Sequence, residues 1–199
     1  MNPIFINNFL PEQLLNFAYS YSIIKYSNHV TKIDTQASSL VGEYSDFFME
    51  TLLDMSTPVI EQNVGKKLWP TYSYLRIYDR GSDLKIHKDR ESCEYTVALC
   101  LGSDPMDAPY EIFVGSEDNN SDYKYYNTKK EYRRYRVDHK FPMVSNNAII
   151  FKGMDKIHWR EYCQHDHFIT VFLHYVDQEG EFKDFKFDKR ACLGANKQK

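Results

Sequence analysis

Residues 76–101 read RIYDRGSDLKIHKDRESCEYTVALCL, and the short run Ile86-His87-Lys88-Asp89-Arg90 inside them decides the reading of the chain. His87 and Asp89 are two positions apart, and on a strand residues i and i+2 point to the same face. An imidazole and a carboxylate then stand side by side toward one interior, able to grip a metal ion from one side. Two ligands leave such a site incomplete. His158 is the candidate third ligand, because it follows the apolar run Ala148-Ile149-Ile150-Phe151 and Gly153 and precedes a last strand pattern. Two histidines and one carboxylate with the other positions open suit a non-haem Fe(II) centre, although ligand type alone leaves Mn and Zn open.

Outward from that run the chain keeps a period of two. In residues 71–78, Tyr72, Tyr74, Arg76 and Tyr78 take one face, and Leu75 and Ile77 take the other. Asp79-Arg80-Gly81-Ser82 is a turn. Strands are predicted over 84–89, 94–101, 110–114, 144–152 and 168–176, with His158 in the turn after Gly153. Residues 115–140 differ: an acidic, polar run is followed by a Tyr/Lys/Arg-rich one, read as a solvated loop or hairpin with a substrate-facing lid as the alternative. Toward the N-terminus, residues 4–10 form a short strand and Pro11-Glu12 open a helix carrying Leu14, Leu15, Ala18 and Tyr19. Residues 27–40 are loop-like. A second helix begins near Ser45 with Phe47, Phe48, Leu52 and Leu53 as its apolar stripe, is kinked or split at Pro58, and ends before Gly65. The tail after Asp177 is mixed Lys, Asp and Phe and ends in a polar stretch expected to fray.

Helices followed by a series of short antiparallel strands predict an α+β, mainly β protein. Its core is a double-stranded β-helix (a jelly roll, cupin-like) with N-terminal supporting helices. The expected layout is a single domain over 1–199: helical support in 1–68, jelly-roll core in 69–177 with the insertion at 115–140, and a C-terminal tail in 178–199.

A chain of 199 residues with 16 % aromatic content and sixteen tyrosines can build one ordinary core around a partly wet cavity. A net charge of −3 gives no footing for general nucleic-acid binding. Cys93, Cys100, Cys163 and Cys192 form no CxxC pair, which points to free thiols and a reducing compartment. No signal peptide and no membrane-spanning run is visible, so the expected location is cytoplasmic, with no membrane partner. His165 and His167 flank Asp166, a weak pattern for a second metal site in a turn.

Three stretches resemble the Fe(II)- and 2-oxoglutarate-dependent dioxygenases, specifically their prolyl 4-hydroxylase-like branch and its phage and bacterial members. RIYDRGSDLKIHKDRESCEYTVALCL is similar to the branch's tyrosine, turn glycine, His-x-Asp and following strand; NNAIIFKGMDKIHWRE to its strand, glycine and distal histidine; FITVFLHYV to its closing strand. The entry segment INNFLPEQLLNFAYS is similar as well. The resemblance implies that His87, Asp89 and His158 hold Fe(II). Tyr78 would bond 2-oxoglutarate, and O₂ would be the second co-substrate, with ascorbate as an accessory. The implied reaction is hydroxylation of a C–H bond, most readily of a protein or peptide side chain, with succinate and CO₂ as co-products. The alternatives are an oxygenase acting on a small molecule or nucleobase, and a non-catalytic cupin-type binding module. The oligomeric state is left open.

One departure from the family matters. Where its members carry Arg or Lys after the distal histidine, residues 164–170 read QHDHFIT. A buried carboxylate without a partner is costly. Arg76 shares a face with Tyr78 and is the first choice for that partner, against an Arg paired with a structural acid or facing outward. Arg160 and His167 come next, and Thr170 adds a neutral hydrogen bond. Arg90, Trp159 and Arg160 are expected at the rim, where substrate would touch them.

Overall fold

The computed structural model describes residues 1–28, 37, 41–116 and 136–195. Among them the elements run β1 (Ile4–Ile6), α1 (Glu12–Ser27), β2 (Val41–Tyr44), α2 (Phe47–Val64), β3 (Leu68–Asp79) and β4 (Leu84–His87). They continue as β5 (Tyr95–Asp104), β6 (Tyr110–Ser116), β7 (Arg136–Met143), β8 (Ala148–Phe151), β9 (Ile157–Arg160) and β10 (His167–Asp177). The strands form two sheets, ordered β1-β8-β5-β10-β3-β2 and β4-β9-β6-β7. Every ladder is antiparallel. The fold is a jelly roll of two facing sheets, not a closed barrel, with the helices on the outer face of the larger sheet.

The alternation of β3 and β10 builds both layers of core. Leu75, Ile77, Ile169, Val171 and Leu173 point outward and pack against Ala18 of α1 and Leu52, Leu53 and Ile60 of α2. Tyr78, Phe168 and Phe172 point inward and meet Tyr110, Ile112 and Val114 of the smaller sheet. Because the period is two, each strand commits one set of residues to the helices and the other to the space between the sheets.

Several boundaries depart from the expectations. α2 runs unbroken through Pro58, which stands on the helix's exposed side, as does Asp54, whose carbonyl it leaves without a helical donor. α1 extends to Ser27, and of the expected loop only Asn28 and Ala37 are described, Ala37 bridging to Leu84. β2, expected as part of no strand, pairs with β3, and the strand expected over 144–152 is confined to β8. The chain before β8 turns at Asn146, at φ 66°, whose side chain clamps the backbone of Leu10. β6 and β7 pair as a hairpin, so both ends of the 115–140 segment are strand; the lid reading falls on 117–135, outside the described residues. The polar end of the tail, expected to fray, falls largely on 196–199, outside the described residues; the tail over 178–195 is folded. It folds through a 3₁₀ segment, Lys183–Lys189, and buries Asp188 and Arg190, the latter ion-paired with Glu50 of α2 at 2.6 Å. The four cysteines are free thiols. Among the described residues no helix is long and apolar enough to cross a membrane.

Asp46 ties the two helices together. It caps α2 by accepting from the Met49 N–H at 3.0 Å, and it accepts from the Tyr21 hydroxyl at 2.5 Å and pairs with Lys25 of α1 at 2.9 Å. Burial pushes its carboxyl up, but the Tyr21 and Lys25 bonds outweigh burial and hold it below its ordinary value. A carboxylate depressed in the fold stabilises above its unfolded pKa, and that contribution fades as pH falls through the folded value. Asp46→Ala should therefore cost about 2 kcal/mol at pH 7 in urea unfolding. The deficit should shrink when the same comparison is made in acid, below about pH 3.

Candidate metal centre and cavity

β4 and β9 pair so that His87 lies opposite His158. Their rings stand 4.2 Å apart, both buried. His158 thus sits on a strand, not in the turn expected after Gly153. Asp89 in turn lies beyond the end of β4. Its convergence with His87 comes from the connecting loop, because its N–H donates to the carbonyl of Gly153 at 3.0 Å. The carboxylate oxygen Oδ1 then stands 3.4 Å from His87 Nε2 and 3.5 Å from His158 Nε2.

The backbone settles how the imidazoles present themselves. His87 Nδ1 lies 2.7 Å from the Lys85 carbonyl and His158 Nδ1 lies 3.0 Å from the Lys156 carbonyl. A carbonyl only accepts, so each Nδ1 donates. Burial, reinforced by His158, pushes the His87 pKa down and favours its neutral form, with a bare lone pair on Nε2. Burial alone would raise the Asp89 carboxyl, yet His158 and His87 hold it well below the usual carboxylate range. Imidazole nitrogens and a carboxylate oxygen converging on one point is a donor set that fits a divalent cation of the iron type.

The second oxygen of Asp89 is also fixed. Thr96, on β5, donates to Oδ2 at 2.8 Å, and its hydroxyl lies 3.1 Å from His174 Nδ1. Burial pushes His174 down to about 4, so it is neutral at physiological pH. Cys93 joins the surroundings through the Tyr72 hydroxyl at 3.1 Å, and burial pushes its thiol well above the ordinary range. Gly153 closes the group from behind: a Cβ there would collide with Asp89 Oδ2 and Thr96 Oγ1. Thr96 and the steric role of Gly153 were missed from sequence. Thr96 reads as one more β-branched strand residue, and Gly153 reads only as the end of a strand.

A cavity of about 250 Å³ opens beside the three donors, lined further by Tyr44, Tyr72, Tyr74, Arg76, Arg90 and Phe172. The Arg76 guanidinium lies 4.9 Å above the Tyr74 ring, on the inner face as its period predicts. Arg90 stacks 4.5 Å over Tyr72 and makes a two-pronged pair with Asp188, at 2.6 and 2.8 Å. Tyr44 donates to the same carboxylate at 2.6 Å. The tail segment thus anchors two residues of the cavity wall, Tyr44 and Arg90, which no local pattern in the tail signalled.

Other candidates lie elsewhere. His167 faces the helices and bonds the Tyr19 hydroxyl at 2.8 Å, because it falls on the outer phase of β10; it does not line the cavity. His165 bonds the Ala108 carbonyl at 2.8 Å, so His165 and His167 do not converge. Trp159 is not at a rim: it is 1 % exposed and stacks on Phe113, on the face of β9 away from the cavity. Arg160 is not at a rim either, being fully buried between the sheets on the same phase as His158. Tyr78 and Thr170 are buried on the inner face of the larger sheet, and neither lines the open cavity.

No family model matches the sequence, and no curated protein does. Solved structures match throughout the fold. A prolyl-4-hydroxylase from Pseudomonas putida superposes with a TM-score of 0.62 at 12% identity, over 88% of this chain and 92% of that one. A prolyl hydroxylase from Trichoplax adhaerens, in complex with a hypoxia inducible factor oxygen degradation domain peptide fragment, gives 0.60 at 13%, over 89% and 84%. The epimerase SnoN in complex with Fe3+, alpha ketoglutarate and nogalamycin RO gives 0.64 at 12%, over 88% and 78%. The chain has the fold of the Fe(II)- and 2-oxoglutarate-dependent oxygenases, of prolyl 4-hydroxylase type.

Gly153→Ala tests how tightly the donor set is built. The added methyl must push Asp89 or Thr96 aside. Binding of Mn(II), measured by calorimetry, should weaken about 10- to 100-fold while far-UV circular dichroism stays unchanged.

Proposed function

We propose that this protein is an Fe(II)- and 2-oxoglutarate-dependent oxygenase that hydroxylates a C–H bond. The observation that carries the reading is the convergence of His87 Nε2, Asp89 Oδ1 and His158 Nε2 beside an aromatic-lined cavity. Fe(II) held by these three residues would supply, with 2-oxoglutarate and O₂, the oxidative decarboxylation that couples succinate formation to oxygen insertion. The chain's own part is positional. The carbonyls of Lys85 and Lys156 fix both imidazoles, and Thr96 fixes the carboxylate. The inner faces of the sheets keep the centre dry on one side and leave it open on the cavity side.

The substrate we propose is a peptide or protein side chain, with a small molecule of similar size as the second choice. A cavity of about 250 Å³ walled by Tyr44, Tyr72, Tyr74 and Phe172 suits one apolar or aromatic group entering from outside. Similar folds accommodate both classes: one is solved with a peptide fragment and another with nogalamycin RO.

An anaerobic titration of the metal-stripped protein tests the assignment. Fe(II) followed by 2-oxoglutarate should produce a visible charge-transfer absorption that needs both additions and is lost in His87→Ala. Admission of O₂ should then release succinate from the wild type only. Fe(II) binding without that absorption would sink the co-substrate and favour a binding module of cupin type.

A further inference from the structure

Between the sheets lies a second polar cluster, deeper than the open cavity. Arg160 is two residues beyond His158 on β9, so both side chains enter the same interior, about 7 Å apart along the strand. Arg160 is 0 % exposed, and its guanidinium carbon sits within 4.8 Å of the Tyr110 ring, 5.1 Å of Phe168 and 5.6 Å of Tyr78. Nη1 donates to the Tyr110 carbonyl at 2.7 Å, while Nε and Nη2 find no acceptor among the described residues. Ring faces compensate a buried cation only in part. Two hydroxyls nearby share the condition: Tyr78 Oη and Thr170 Oγ1 are buried and find no hydrogen-bond partner among the described residues.

The ladder explains why these groups share one spot. On β3 and β10, Tyr78 pairs with Phe168 and Arg76 with Thr170, which puts Tyr78 and Thr170 diagonally on one inward patch. Phe168 sits under the Arg160 guanidinium. The strand after His158 therefore offers an aromatic ring, and the cation enters from β9 instead.

We infer that Arg160, with the Tyr78 and Thr170 hydroxyls, receives the far carboxylate of the co-substrate. The assignment rests on the proposed iron and 2-oxoglutarate chemistry. A guanidinium whose Nε and Nη2 find no acceptor among the described residues, with two hydroxyl donors beside it, matches the acceptor set of a carboxylate. The strand spacing from His158 to Arg160 matches a five-carbon 2-oxo diacid chelating metal at one end and reaching inward with the other. Arg76, the first choice from sequence, lies instead on the open cavity among Tyr74 and Phe172, where an entering substrate would meet it.

The test compares 2-oxoglutarate with 2-oxobutyrate, which keeps the chelating end and lacks the far carboxylate. Calorimetry on the Mn(II)-loaded full chain, without O₂, should show 2-oxoglutarate favoured about 100-fold in the wild type. Arg160→Met should abolish that preference while 2-oxobutyrate still binds, Arg160→Lys should keep part of it, and Arg76→Met should keep it. A preference that survives Arg160→Met, or collapses in Arg76→Met instead, overturns the inference. Wild-type protein that binds both acids equally also overturns it, and wild-type protein that binds neither defeats the co-substrate reading itself. Should both Arg160 variants fail to fold, a crystal structure of the wild type with Mn(II) and 2-oxoglutarate decides. A carboxylate oxygen at hydrogen-bond distance from Arg160 Nε or Nη2 supports the assignment, and one on Arg76 overturns it.

Discussion

The cross-strand pairing of His87 with His158 is the constraint on which the rest of the site depends. β4 and β9 are each four residues long, and their shared register alone decides that both imidazoles enter the same interior. A slip of one residue would turn Trp159 inward and His158 out. The register is held from the outer side by Ile86, Ile157 and Trp159, which pack with Phe113 of β6. An apolar cluster away from the chemistry thus aims the donors, and the carbonyls of Lys85 and Lys156 set their rotation. The cavity-facing side chains are left to chemistry, while the outer ones carry the packing.

Asp89 reaches the same point by another route. It is off the strand, and its position comes from a backbone bond to Gly153 and a side-chain bond to Thr96. Those two contacts come from the turn after β8 and from β5, which are neighbours in the larger sheet, whereas His87 and His158 stand on the smaller one. The three donors are therefore set by both sheets at once, and opening the sandwich would separate them. This favours a preorganised centre, because the ligands need no rearrangement to converge.

Much of this was legible from the chain. The period of two in residues 71–78 assigned Tyr72, Tyr74, Arg76 and Tyr78 to one face, and the structure keeps them on it. The spacing of His87 and Asp89 brought the right pair together for a partly wrong reason: a shared strand face was expected, and a loop anchored on Gly153 supplies the convergence. What stayed hidden was non-local. Nothing in QHDHFIT shows that His167 falls on the outer phase against Tyr19, since one residue of phase decides it. Arg160 reads from sequence both as a mouth residue, because it follows the distal histidine, and as a second choice for the far carboxylate. Its burial follows from sharing His158's phase, a deduction that first requires His158 to be on a strand. Likewise nothing local in the tail shows that Asp188 and Arg190 bind Tyr44 and Glu50, 144 and 140 residues away in sequence.

That tail shows how the cavity mouth is shaped. Phe187, Asp188 and Lys189 all adopt left-handed backbone angles, with φ of 52°, 56° and 62°. Three successive non-glycine residues in that region are unfavourable unless their surroundings compensate. The compensation is visible on both sides: Asp188 accepts from Arg90 and Tyr44, and Arg190 is clamped by Glu50 and the Thr71 carbonyl. The strain places a carboxylate where Arg90 would otherwise leave a bare cation beside the donor set. With Arg90 neutralised by Asp188, the wall at the entrance is chiefly tyrosine and phenylalanine. Positive charge is then concentrated at Arg76 on the cavity and at Arg160 in the deep interior. The opening then presents aromatic rings with one guanidinium, Arg76, among them, and the depth presents Arg160. On the proposed assignment, a diacid held inward and a group entering from outside would occupy the two ends without competing.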